Sequence, residues 1–87
     1  MERELKLNHL YRHFKGDLYI TVDVAFDSET TRPVVIYRNL HDMNLWIRDL
    51  EEFLSKVDKE KYPDAAQTYR FEEIELEKHI ERKEEKW

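Results

Sequence analysis

The sequence predicts a mainly β domain with helical additions, in which four or five short antiparallel strands form a small SH3-like barrel or a strongly bent sheet. Three observations point there. Leu18, Ile20, Val22, Val24 and Phe26 alternate with Tyr19, Thr21, Asp23 and Ala25, the period-two pattern of a half-buried strand. The other apolar runs are short too, and turn formers such as Asp, Asn and Ser separate them. Finally, 87 residues with 40% apolar and 13% aromatic content supply one modest core and leave no room for a second domain. An isolated hairpin is not stable in water, so the strands must pack as a layered or closed unit.

Taken in order, residues 1–10 are an N-terminal extension, 11–71 the β domain and 72–87 a C-terminal helical tail. Tyr11 to Lys15 makes the first strand, and Gly16-Asp17 its turn, since glycine reaches positive φ without steric cost. The alternation of Leu18 to Phe26 directs its even-numbered face inward, with Val22 at the centre. Asp27 to Pro33 breaks this strand, and Ser28-Glu29-Thr30 satisfies the turn backbone through its side chains. Val34 to Leu40 is the third strand. There Val34, Ile36 and Leu40 share a face with Arg38 while Val35 and Tyr37 share the other, a conflict that a bulge would relieve. After a turn at His41-Asp42-Met43-Asn44 comes the strand Leu45 to Arg48, then a short helix over 50–56. Asp49 and Glu52 have N-cap and N3 spacing, and Leu50, Phe53, Leu54 and Val57 recur at helical intervals. A polar loop from Asp58 to Gln67 leads to a closing strand, Thr68 to Phe71. The segment from Glu72 to Trp87 is rich in helix formers, and a helix is expected to about Arg82, anchored by Phe71 and Ile74. Like-charged pairs such as Glu73/Glu77 and Lys78/Arg82 weaken it, and its last turn is expected to fray unless a partner covers Ile80 and Trp87.

Charge and composition narrow the function classes. The net charge is −5; residues 1–48 are balanced, and the acidity lies in 49–87. Overall acidity weighs against general nucleic-acid binding, which needs a concentrated basic face. One local exception runs from Leu5 to Gly16, where Lys6, Arg12 and Lys15 accompany His9 and His13 without any acid. The chain has no cysteine, which excludes disulfides, thiolate zinc sites and thiol catalysis. No apolar run approaches the ~20 residues of a membrane span, and Met-Glu-Arg-Glu does not open a signal peptide. A soluble, cytoplasmic protein without membrane contact is the expectation.

Several segments together resemble a known family. Tyr11-Arg12-His13-Phe14-Lys15-Gly16, Ser28-Glu29-Thr30, Val34-Val35-Ile36-Tyr37-Arg38, Leu45-Trp46-Ile47-Arg48 and the later Phe53 occur in that order. They are similar to the motifs YRHFKG, SET, VVYR, W-(V/I)-R-P-L and a following Phe of a short bacterial domain of unknown function. The likeness spans about 11–71 and takes in Tyr69-Arg70-Phe71. Asp49 stands where the family usually has proline, and His41-Asp42 replaces its Tyr-Gly turn. The resemblance implies a shared fold and carries no assigned activity.

The residues with binding chemistry form one constellation: Tyr11, Arg12, His13, Lys15, Tyr37, Arg38, Trp46 and Arg48. Arginines beside flat aromatics on neighbouring strands can stack a base or cradle an anion. The same residue types also build a core whose arginines close its ends or pair with acids. Arg12, Arg38 and Arg48 are expected to converge near Trp46. His9 and His13 are four apart but lie in a segment without a carboxylate, so no metal site is expected, and no cofactor. Catalysis has little support, because Gly16 is alone and the only serines, Ser28 and Ser55, sit beside acids. The expected function is therefore a non-enzymatic interaction module binding a peptide or protein on the aromatic–arginine face. Binding of a nucleotide or RNA end there is the alternative, and an enzyme with an unrecognised carboxylate–histidine site is least supported. A monomer, or a weak homodimer through the C-terminal helix, is expected.

Overall fold

Three tight turns make consecutive strands antiparallel neighbours. The computed structural model describes residues 3–75. Gly16, at φ 114°, turns the chain from β1 (Leu10–His13) into β2 (Leu18–Phe26), with its N–H donating to His13 O at 2.8 Å. Between β2 and β3 (Pro33–Asn39), Asp27 Oδ1 accepts from the N–H groups of Glu29 and Thr30. Asn39 Oδ1 does the same for His41 and Asp42 on the way to β4 (Leu45–Asp49). The short β5 (Phe71–Glu73) returns to pair with β1, so the five-stranded order is β4-β3-β2-β1-β5.

This sheet is open, and the expected barrel does not form. β4 and β5 are its opposite edges, and closure would require them to pair. Their inner face is covered instead by α1 (Leu50–Phe53), the loop after it and the N-terminal residues. Tyr11, Val35 and Tyr37 from the sheet meet Phe53, Leu54 and Phe71 in the core. Phe53 and Phe71 stack at 4.1 Å with 7° between ring planes, and Tyr11 and Tyr37 pack edge-on against Phe53. Asp49 caps α1 as its spacing predicts, accepting from Glu52 N–H. The helix ends at Phe53 rather than at 56 because the chain beyond it pairs with 68–70: Arg70 N–H donates to Ser55 O and Val57 N–H to Thr68 O, both at 2.9 Å.

β2 reverses the facing that its alternation predicts. Thr21 is fully buried, whereas Val22 is 38% exposed. Thr21 pairs with Tyr37 and Asp23 with Ile36, so Val22 is the extra residue of a β-bulge. Before the bulge the odd residues face inward, and after it Val24, opposite Val35, does so. The conflict within Val34 to Leu40 is thus relieved by a bulge in the neighbouring strand, and β3 itself alternates regularly, with Val35, Tyr37 and Asn39 buried. Thr21 is covered by the N-terminal segment: its hydroxyl donates to Lys6 O at 2.6 Å and accepts from His9 N–H at 3.2 Å. Arg3 extends the same clamp, donating to Leu54 O and Phe71 O.

At the other end, Glu72 and Glu73 are strand rather than helix, since both continue the ladder with β1. Ile74 and Glu75 are not helical either, Ile74 N–H donating to Leu10 O at 2.8 Å, and the rest of the expected C-terminal helix, from Leu76 on, lies outside the described residues. Among the described residues, no helix is long and apolar enough to cross a membrane.

Candidate functional site at the inner face of β4

Register decides which of the eight candidate residues can meet, because directly opposed residues of antiparallel strands share a face. Thr21, Tyr37 and Trp46 form one row and Val24, Val35 and Arg48 the next, both on the inner face. Ile20, Arg38 and Leu45 form a row of the outer face, and Arg12, opposite Leu18, belongs to the outer face too. The expected convergence of Arg12, Arg38 and Arg48 therefore does not occur. Arg38 braces the turn before β4, with Nη1 donating to Met43 O at 2.6 Å. Tyr11 is core, and its hydroxyl accepts from Lys6 N–H at 3.1 Å. His13, Lys15, Tyr37, Trp46 and Arg48 are left on or beside the inner face.

Arg48 is held by three neighbours. Its Nε donates to the Tyr37 hydroxyl at 3.3 Å, its Nη1 pairs with Glu52 at 2.6 Å, and its guanidinium lies 5.7 Å from the Phe71 ring centroid. Trp46, two residues along the same strand, is 49% exposed and extends the aromatic surface beyond the buried Tyr37.

His13 packs against Phe14 and Phe71, with ring centroids 4.5 and 4.9 Å away. Its Nδ1 accepts from Lys15 N–H at 3.1 Å, which places the proton of the neutral ring on Nε2. Burial, and after it the charges of Arg48, Arg70 and Lys15, lower His13 to about 4, with Asp17 opposing. Arg70 was not among the expected site residues. It is placed by backbone bonds, its N–H to Ser55 O and its carbonyl from Phe14 N–H, each at 2.9 Å. Lys15 lies 5.2 Å from the Tyr62 ring centroid. Among the described residues, neither Lys15 nor Arg70 has a carboxylate within ion-pair distance. Tyr19 and Asn39 close the opposite rim. Burial raises the Tyr19 hydroxyl; a hydrogen bond with Asn39 opposes this, and Asp17, Tyr37 and Asp42 add to it. The corner thus has an aromatic floor, a cationic side and one exposed indole.

A second polar group lies across the sheet. His9 Nδ1 contacts Glu73, and Lys6 Nζ is 3.4 Å from the same carboxylate, beside an open groove of about 470 Å³. Burial raises the Glu73 carboxyl, but His9 and Lys6 together bring it below its ordinary value. This is a carboxylate–histidine pair, yet the groove is lined by no serine, threonine or tyrosine that could act as its nucleophile. Among the described residues, no group of three His, Asp or Glu side chains is gathered for a metal ion.

No curated protein and no solved structure matches the chain. A family model does match, over residues 9–73, and it spans β1 through β5 with the whole aromatic–arginine corner. The chain belongs to that family, described as a protein of unknown function (DUF1653).

Proposed function

We propose that this protein is a non-enzymatic interaction module that receives an acidic, extended peptide segment at the inner face of β4. One observation carries the reading: Arg48 lies over the Phe71 ring that His13 packs against, Lys15 N–H donates to His13 Nδ1 and Arg70 O accepts from Phe14 N–H, and among the described residues Arg48 alone of these three cations has a carboxylate partner. Excess positive potential over a partly desolvated aromatic floor attracts carboxylates and strengthens their hydrogen bonds. Arg48 is pre-oriented by Tyr37 and Glu52, and Trp46 offers a rigid apolar contact beside it. A nucleotide or RNA end is the second reading, supported by the exposed Trp46 ring next to these cations, on which a base could stack. It is disfavoured by the burial of the inner-face rings Tyr11, Tyr37 and Phe71, which takes three of the rings a base would stack on out of reach.

The test is an NMR titration of the full chain with a peptide of alternating glutamate and valine, and separately with oligouridine. The peptide is expected to shift the Trp46 indole and the Arg48 and Arg70 side-chain signals. Arg48→Met should abolish the shift, while Arg38→Met, on the outer face, should leave it unchanged. Equal weakening by both variants, or no shift with the peptide, refutes the reading. Binding of oligouridine alone, with affinity falling steeply as salt rises, transfers the site to the second reading.

A further inference from the structure

We propose that the outer edge of β4, which no other described strand pairs with, joins the β4 edge of a second copy of this chain, in an antiparallel arrangement centred on Trp46. The two edges of this sheet are treated differently. β5 is three residues long and carries Glu72 and Glu73, features that blunt an edge against strand addition. β4 is five residues long, has no proline and no bulge, and keeps its charges, Arg48 and Asp49, at its C-terminal end, while it presents Leu45, Trp46 and Ile47 at 52%, 49% and 68% exposure. Three consecutive exposed apolar residues place apolar surface on both faces of that edge at once.

The backbone of β4 is prepared for a partner. Asn39 N–H donates to Asn44 O at 3.0 Å, in line with the pairing of Arg38 to Leu45 and Tyr37 to Trp46. Hydrogen-bonded and non-bonded pairs alternate along an antiparallel ladder, so Trp46 and Arg48 spend their N–H and C=O groups on β3. Those of Leu45 and Ile47 point away from the sheet. A strand added there must bond at these two residues and offer apolar side chains to both faces. β4 itself meets both requirements. With Trp46 opposite its counterpart, each Leu45 faces Ile47 of the second copy on the outer face, and all four outward-pointing residues bond. Asn44 then stands opposite Arg48, and Met43 opposite Asp49, so no like charges meet. Shifting the centre to Ile47 would set Leu45 against Asp49, whose carboxylate is already engaged by Arg32. A five-residue edge falls short of the ~800 Å² per partner of a standard interface, so the pair is weak and concentration-dependent. The pairing shares Trp46 with the anion corner but does not rest on it, because the edge bonds fall at Leu45 and Ile47, whose side chains lie on the opposite face from Arg48.

The experiment is sedimentation of the full chain from micromolar to millimolar concentration, with amide hydrogen exchange read at the same concentrations. The mass is expected to rise toward that of a dimer. The Leu45 and Ile47 amides should slow with it, by about twofold where half of the chains are paired, while the Trp46 and Arg48 amides stay protected throughout. Ile47→Lys changes an exposed side chain and should hold the chain at the monomer mass while the acidic peptide still shifts Arg48. A monomer at every concentration overturns the proposal. So does a dimer in which the Leu45 and Ile47 amides exchange as fast as in dilute solution. Protection of these amides in a monomer also overturns it, and assigns the edge to another segment of the same chain.

Discussion

Replacing Thr21 and Val22 in turn should give the reverse of what their side chains suggest. Thr21 is polar but fully buried; Val22 is apolar but 38% exposed on the bulge. In Thr21→Val the shape is nearly kept and only the hydroxyl is lost. That leaves Lys6 O and His9 N–H without their partner beneath the N-terminal segment. An unmade bond at such a site costs ~1–3 kcal/mol. For a domain of this size about 1 kcal/mol moves the midpoint by roughly 4–8 °C, so Thr21→Val should lower Tm by about 8–16 °C for a cost of about 2 kcal/mol. Thr21→Asp adds an unpaired carboxylate at the same buried position, a cost of several kcal/mol against a total of ~5–15, and should abolish the cooperative transition. Val22→Asp can turn its carboxylate to solvent at a bulge position 38% exposed, and loses only partial burial and the modest strand preference, about 1–2 kcal/mol. Thermal and urea melts followed by far-UV circular dichroism read all three. If Val22→Asp unfolds the domain while Thr21→Asp melts like the unaltered protein, the bulge is misplaced and the even face of β2 is the core.

Two further outcomes follow from the same packing. Phe53→Ala removes the ring stacked on Phe71 at 4.1 Å and should cost ~3–5 kcal/mol, read as a lower urea midpoint at unchanged m-value. His13, lowered to about 4 by burial and the neighbouring cations, is neutral in the folded chain where an unfolded chain would already be protonated. The unfolded state therefore binds the extra proton, so the part of the stability that depends on His13 is fully present above its ordinary value of 6.5, falls as pH drops, and levels off below about 4. His13→Gln should remove that part of the pH dependence, and an NMR titration in which the His13 imidazole itself titrates near 6.5 in the folded protein would refute the assignment.

The first four strands and the start of α1 were legible because each has a local cause, whereas the closing strand, expected at Thr68 to Phe71, lies at Phe71–Glu73. Gly16 marks the first turn, Asp27 the second, and Asp49 the start of α1, and none of these depends on the rest of the chain. Facing was not legible in β2, because its apolar even residues continue across the bulge without a break in pattern. They do so because Leu18 and Val22 remain partly exposed, and Leu45 and Ile47 extend the apolar surface of the outer face. Thr21 faces inward through its pairing with Tyr37 and is fully covered because residues 6–9 lie over it, a contact between segments that no period records. Closure into a barrel was equally illegible, since it depends on whether the segment after β4 pairs with an edge or folds beneath the sheet.

The candidate site was legible by residue type and half legible by position. Tyr37, Trp46, Arg48 and His13 come together; Arg12 and Arg38 do not. Parity already separates them, for Arg12 lies between Tyr11 and His13, and Arg38 follows Tyr37, so neither can share its neighbours' face in a regular strand. A facing anchored on the buried tyrosines of β1 and β3 keeps Arg48 and sends Arg12 and Arg38 outward. One anchored on the even residues of β2 fails, because the bulge at Val22 lies inside that run and exchanges its two faces. Arg70 had no such signal: it enters through the pairing of Ser55 to Val57 with Thr68 to Arg70, which joins two ends of a loop. Its charge then joins burial, which acts most, and Arg48 and Lys15 in keeping His13 neutral, so the corner depends on the closed loop as well as on the sheet.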